Sequence, residues 1–473
     1  VVTSRLSKSF VGSFAARSGL SLVEFVGVLF VATTAGAATL GTFSLIRAVA
    51  VVVSLATDFG TREATKKRIA ERRDQSEFLA VSLLLRATLL VPVTVVLLFL
   101  RDPLTAYVGS ALALPFLVAI AALDVPVRTV DAGLHGEQRV GRAETAVFAN
   151  VTAKVLVWVV LLAAGYGLPG LLVGTLVGRL VQLAVGLHFL SIRPRRPDRG
   201  HVVSVLRFSR YSWLGAVRER AWIWTDTLVL GFFVAPEIVG AYELAWQLSA
   251  AFFLVASAIS STLFANVDRI LDEQGRAAVR TTLEESLVYA GIAAIPGVFG
   301  AFVIGASLLS AVSTAYVVAA PALVLLVAAR LAHCYGVVFE KVSSALDRPD
   351  LVFRADTAFV AINLVGNVLL VATVGWLGAA IATAAAMTVR TLLSYGYLRT
   401  LLRFSIPWRE VTAESVGAFA MGVVLLVATG GHHLTPAGTA AAIVGGGAVY
   451  VLLVLAVAGR IRGRVRTAVA ALV

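Results

Sequence analysis

Charge is what this sequence has least of. Only 14% of its 473 residues are charged, against about 25% in a soluble domain. A water-exposed globule of this length is therefore excluded. A single cysteine, Cys334, excludes a disulfide framework and a cysteine metal site. The adjacent His432 and His433 sit in a loop without carboxylates, so no metal site is expected there. The glycine run at 445–447 has no strand before it and no phosphate-loop lysine, which leaves helix packing. Acidic residues are also scarce, 27 against 40 basic ones, for a formal charge of +13. In a soluble chain such a surplus would point to nucleic acid. Here it bears first on topology, because lysine and arginine collect in cytoplasmic loops.

What the sequence has is apolar length. It is 59% hydrophobic, and runs of about 18 or more apolar residues recur along it, the pattern of a polytopic helical membrane protein. The expected class is all-α with about fourteen transmembrane helices. The spans are placed at 10–34, 38–60, 78–100, 105–127, 144–165, 168–190, 209–234, 237–264, 283–306, 309–341, 354–374, 377–401, 413–430 and 438–459, with Pro321 breaking or kinking the tenth. The N-terminal "VVTSRLSKSF" precedes a full-length helix, so the first helix reads as a span and no removable signal peptide is expected. The even-numbered loops and both ends hold 29 basic residues, the odd-numbered loops one, Arg101. Both termini are thus expected in the cytoplasm of a cell that carries the chain in its plasma or inner membrane. The outer connections, such as "TAGAA", "GYGL", "VAPE" and "TVGWL", leave no room for an outer domain.

The chain repeats itself. "TLGTFSLIRAVA" (39–50) lies over "IVGAYELAWQLS" (238–249) at an offset of 199, and "GLLVGT" (170–175) over "GAAIAT" (378–383) at an offset of 208. An even number of spans per copy gives two parallel repeats about an axis along the membrane normal. The expected organisation is a six-helix lobe at 1–208, a second at 209–403, and two further helices with a basic tail at 404–473. A cavity between the lobes is expected near mid-bilayer.

Charges inside spans mark what such a cavity is for, since each costs roughly 2.5–3.5 kcal/mol at the bilayer centre on insertion scales. Arg47 lies about 14 Å along the second span at ~1.5 Å per residue. Ser44, Arg47, Ser54 and Asp58 share one helix face with it. Arg17 and Glu24 share a face of the first span. Arg17, Arg47, Arg218 and Arg390 are the candidate anion-binding residues, because guanidinium groups grip phosphate with forked, charge-assisted hydrogen bonds. Trp222 and Trp246 are candidate stacking surfaces for sugar rings. Arg86, Lys154, Arg220 and Arg330 read equally well as internal ion pairs that lock helices. Glu24, Asp58 and Asp226 are candidate coupling carboxylates.

"LGTFSLIRAVAVVVSLATDFGTREATKKRIAE", "DAGLHGEQRVGRAE", "WTDTLVLGFFVAPEIVGAYELAWQ" and "INLVGNVLLVATVGWLGAAIATAAA" carry a resemblance to the polysaccharide-type, O-antigen-like flippases. These belong to the multidrug/oligosaccharidyl-lipid/polysaccharide exporter superfamily. The resemblance implies alternating-access movement of a polyprenyl-(di)phosphate-linked oligosaccharide from the cytoplasmic to the outer leaflet. It implies no enzymatic chemistry and no cofactor beyond sodium or a proton as coupling ion. Membrane lipids and glycosyltransferases of the same pathway are the implied partners, with a monomer and no nucleic acid. A sodium site in the peptidoglycan-precursor branch of the superfamily falls, position by position, on Asp226, Asn363, Asn367, Ala379 and Thr383. Asn367 stands where that branch has an acid, which weakens a cation site.

Two other functions compete. A multidrug antiporter of the same superfamily would carry cations and favour a carboxylate-rich lumen. A membrane glycan polymerase would present catalytic residues on a large outer loop, which this chain lacks.

Overall fold

A computed structural model describes residues 2–430 and 432–457; the side chains at 2–18, 20–21, 211, 214, 216–219, 221–222, 261–266, 268–269 and 457 lie outside the description. The described residues are mostly helical, joined by turns and by two longer non-helical connections at 190–198 and 402–407, with no strand among them. Twelve described helical segments are long and apolar enough to cross a membrane. Large apolar side chains stand exposed on them, Phe99 at 87% and Phe302 at 78% among them. Hydrocarbon, rather than water, suits such a surface. The chain divides into two compact units, Val1–Gly240 and Ala241–Val473.

The first unit opens with α1, Val2–Asp58. A straight helix of its 57 residues would run about 85 Å, nearly three times the hydrocarbon core. Gly36 prevents that. Its φ of 79° and ψ of 171° break the helix inside "TAGAA", where the sequence predicts the first two spans to be joined. Only glycine takes this backbone without strain. Then come α2 (Thr61–Ala70), which carries the basic run, α3 (Gln75–Phe99), α4 (Arg101–Val108), α5 (Ala113–Gly136), α6 (Val140–Ala163), α7 (Gly167–Phe189) and α8 (Arg199–Phe233).

Span four is shifted from its predicted 105–127. Gly109, at φ 76°, ends the short α4, and the long helix starts afresh at Ala113. Arg128, expected in a loop, therefore lies inside α5. The start of α8 is fixed by Asp198, whose carboxylate accepts the His201 backbone N–H at 2.9 Å. That bond holds the Asp198 carboxyl below the usual carboxylate range.

Helix α9 (Pro236–Ala250) carries the division between the units. Its first turn packs on α1 at Ala37–Gly41. A Cβ at Gly41 would overlap the Pro236 carbonyl oxygen, and one at Gly240 the Ala37 carbonyl oxygen. The contact is reciprocal and possible only because both positions are glycine.

The second unit continues with α10 (Leu254–Ala290), α11 (Ala294–Ser310), α12 (Ala320–Ala345), α13 (Pro349–Val374), α14 (Leu377–Leu401), α15 (Trp408–Thr429) and α16 (Pro436–Val457). Gly275 breaks α10 with φ 77°. The predicted uninterrupted span at 283–306 is split by a turn at 291–293, just before Pro296, which has no N–H to continue the ladder. Pro321 opens α12 after a 3-10 turn, Thr314–Ala319, so it starts a helix. One apolar core gathers Leu283, Leu287, Val338, Phe339 and Leu398; another joins Ile295, Ala418, Met421 and Tyr450.

Candidate functional site

Polar side chains of the first unit gather in three ion-pair clusters. Arg47, from the second half of α1, reaches Glu24 of the first half at 3.6 Å. Its guanidinium also lies over the Trp224 ring at 5.3 Å and the Phe43 ring at 5.7 Å. Lys154 of α6 donates to the same Glu24 oxygen at 2.9 Å and lies 4.9 Å from the Trp158 ring centroid. Trp158 is locked by Nε1–H donating to the Leu171 carbonyl at 2.8 Å. One carboxylate thus serves two cations.

A second cluster joins α5, α6 and α7. Arg179 approaches Asp124 at 3.3 Å and donates to Gln182 Oε1 at 3.0 Å; Asn150 donates to that same oxygen at 2.7 Å. Arg128 donates to Asp124 at 3.0 Å, one turn along α5. At the end of α1, Asp58 pairs with the buried Arg86 and accepts from Thr61 and from the Arg62 backbone, both at 3.2 Å. The Arg62 side chain turns to Asp131 at 2.7 Å.

These groups do not balance. Among the described residues, four cations on the long helices, Arg47, Arg128, Lys154 and Arg179, meet two carboxylates, Glu24 and Asp124. The surplus of two positive charges is placed among membrane-length helices, where an anion is the natural complement. Beside Asp58 opens a cavity of about 360 Å³, lined by Ser54, Arg62, Arg128, Ser212 and Arg220 together with Glu63. On the opposite face of the same stretch of α1, Val49, Val52, Val53 and Ala56 line a second cavity of about 570 Å³. Its other walls are apolar residues of α3, α4 and α8, closed by Tyr107, whose hydroxyl donates to the Leu228 carbonyl at 2.7 Å.

The other sequence-predicted residues are distributed as follows. Arg17, Arg218 and Trp222 lie outside the described residues. Arg390 of α14 is held between two carboxylates, Glu340 at 2.7 Å and Asp356 at 2.6 Å. That leaves it no positive surplus to offer an anion. Trp246 supports the Arg330 guanidinium, 4.3 Å from its ring centroid. Of the five sodium-site positions, α13 and α14 bring together three: the Asn363 amide donates to the Thr383 hydroxyl at 2.8 Å, and the Asn367 amide to the Asn363 carbonyl at 2.9 Å. Ala379 is buried on α14. This trio is neutral, and the fifth member, Asp226, is buried in the first unit.

Sequence reasoning passed over Arg62, Asp131, Glu340, Asp356 and Glu414. All lie near helix ends or in a basic run, where a charge reads as solvated. For Glu414 a signal existed: with Glu410 it forms an acidic pair spaced by four at the start of an apolar helix.

Comparison with known proteins agrees with this arrangement. A family model described as "Polysaccharide biosynthesis protein" matches residues 36–317. Two curated relatives come from Haloferax volcanii. The probable flippase AglR is 31% identical over 429 residues, 89% of each chain. The probable low-salt glycan biosynthesis flippase Agl15 is 28% identical over 429 residues, again 89% of each. Among solved structures, the lipid II flippase MurJ in an inward closed conformation superposes with a TM-score of 0.80, covering 93% of this chain and 98% of that one at 12% identity. An inward-facing multidrug resistance MATE family transporter of the MOP superfamily gives a TM-score of 0.62, at 15% identity over 81% of this chain and 94% of that one. The structural matches establish the fold, a MurJ- and MATE-like helical bundle. The family match and the relatives establish the kinship: the chain belongs to the polysaccharide biosynthesis protein family.

Proposed function

We propose that the chain is a flippase that moves a polyprenyl-(di)phosphate-linked oligosaccharide from the cytoplasmic to the outer leaflet for surface glycan assembly. The observation that carries this reading is the surplus of two positive charges that Arg47, Arg128, Lys154 and Arg179 hold over Glu24 and Asp124. A diphosphate leaving water needs fixed cations, or it meets a large desolvation penalty. The second support is the presence of a charged cavity and an apolar one on the two sides of the same stretch of α1. An amphipathic ligand has a headgroup and a hydrocarbon chain to match. The curated relatives are named as flippases, which supports the same reading. Arg47, Lys154 and Arg179 are assigned to the phosphate and Trp224 to an apolar face of the headgroup. The reaction is transport, with no covalent step.

The duplication of the chain into lobes at 1–208 and 209–403 is part of this proposal. The reciprocal glycine contact supports it: Ala37 maps on Pro236, and Gly41 on Gly240, at the same offset of 199 that the sequence repeat gives. A fourteen-span count is compatible with the helices described, since α1 is broken at Gly36 and α8 carries a further apolar stretch, Ile223–Phe233. A multidrug antiporter is disfavoured, because a cationic drug would meet like charge around Arg47.

The test is complementation. In cells deprived of their own flippase of this family, the chain restores surface glycan. Arg47→Ala removes a hydrogen bond to a charged group, about 1.5–3 kcal/mol, or roughly a tenfold to hundredfold loss of affinity. Glycan display should collapse with unchanged protein in the membrane. Wild-type display by Arg47→Ala would discard the phosphate assignment.

A further inference from the structure

The terminal helix pair contains a carboxyl group with nothing to pair with. Glu414, on the second turn of α15, is 0% exposed, and neither of its oxygens has a hydrogen-bond partner. Two other orphans are its neighbours: the hydroxyls of Tyr335 (α12) and Tyr450 (α16) are buried without a partner, and both side chains are within electrostatic reach of Glu414. The surroundings are apolar. Ala413, Ala418, Met421 and Val454 belong to the same core cluster, with Ile292, Phe299 and Val303 packed on it.

Among the described residues, the charged and titratable groups that face this position include no cation. Its own helix supplies Glu410, a like charge. The one basic residue of α15, Arg409, is exposed. Helix α11 has no titratable residue, and α16 has only Tyr450. From α12 comes Tyr335, and from the end of α10, Tyr289, packed at the cluster edge. The arginine of α12, Arg330, is directed elsewhere, onto Trp246 and Ser249.

An ionised carboxylate in such a place would be an uncompensated charge in low dielectric, a cost that ionisable groups escape by neutralising. Among the described residues no counter-charge relieves it, so a proton must. We propose that Glu414 is a proton-binding site, with Tyr335 and Tyr450 as its polar shell, and that H⁺ bound there is a coupling ion of the transporter. The coupling clause rests on the flippase reading; the proton site does not. The position suits the role. Helices α15 and α16 pack on each other and on α11, and the Tyr335 hydroxyl lies over Gly291, at the break between α10 and α11. Loss of the proton leaves a charge that only water can accommodate, so ionisation favours opening of this seam, and protonation favours its closure. The step conserves atoms plainly: one O–H bond forms on Glu414 from a water-borne proton and breaks again when the seam is wetted.

Two measurements on the full-length protein test this. The first is infrared spectroscopy of the purified chain at neutral pH. A protonated-carboxyl C=O stretching band should be present and should vanish in Glu414→Gln, while Glu410→Gln retains it. A wild-type spectrum in which Glu414 contributes only carboxylate bands overturns the site. Glu414→Gln mimics the neutral acid and should unfold at the wild-type temperature or above it; a marked loss of stability would also overturn the assignment, because it would show a charge at work. The second uses vesicles containing the chain, a trapped pH-sensitive dye, and a fluorescent short-chain isoprenyl diphosphate disaccharide as probe. Wild-type vesicles should move protons when they move the probe, and Glu414→Gln should lose that proton flux entirely. Probe movement without proton flux in the wild type, or flux retained in the variant, overturns coupling. A wild type that moves no probe at all counts against the flippase reading alone, and the infrared band then decides the proton site by itself.

Discussion

Arg47 and Arg390 look alike in the sequence, each an arginine inside an apolar run, and the fold separates them. Arg47 shares one carboxylate with Lys154 and keeps charge to spare. Arg390 is enclosed by Glu340 and Asp356 and has none. Their variants should therefore fail differently. Arg390→Ala strands two buried carboxylates, and breaking a buried pair costs about 3–5 kcal/mol. It should lower the unfolding temperature of the purified protein and its yield in membranes. Arg390→Ala with unaltered thermal stability would show that the pair is not structural. Arg47→Ala, by contrast, should leave stability close to wild type while abolishing glycan display. The sequence flagged both residues because a charge in an apolar run is rare and costly. It could not name their partners, because these come from other helices, 130 residues away for Lys154–Glu24 and 34 for Arg390–Asp356.

Helices were legible wherever apolar length and a special backbone position coincided. Gly36 divides α1 where the short connection predicts it. The misplacement of span four has a definite cause. Hydropathy continues from Leu104 through Leu117, so an apolar window cannot see that Gly109 has turned the chain. The same holds at 291–293, where a proline inside an apolar run ends a helix without changing composition. The crossing of α1 and α9 gives the prediction at this scale. Gly41→Ala and Gly240→Ala each drive a methyl group into a backbone carbonyl, and overpacking of this kind costs about 1–3 kcal/mol. Gly300→Ala meets open space within 4 Å and serves as the control. Thermal unfolding in detergent should separate the first two variants from the third; equal melting curves for all three would remove the close crossing.

For the whole molecule, the expected orientation puts both ends in the cytoplasm, on the strength of 29 basic residues on one side of the predicted topology and one on the other. A fluorescent protein fused to the C-terminus should glow, and an alkaline phosphatase fused there should stay inactive. The reverse pair of results would invert the direction of transport proposed here. Arg128 shows why the tally tolerates individual errors: it moved from a loop into α5, yet the asymmetry hardly changes. The sequence alone determined that the chain is an all-helical membrane protein and that it carries more cations than anions. Those properties are sums or periodicities along the chain, and each residue contributes whatever its partners are. Only the tertiary structure decided which cations remain uncompensated, that a polar and an apolar cavity flank α1, and that Glu414 has no counter-charge among the described residues. Compensation depends on distances of a few ångströms between helices far apart in sequence, and a chain read in one dimension does not contain those distances.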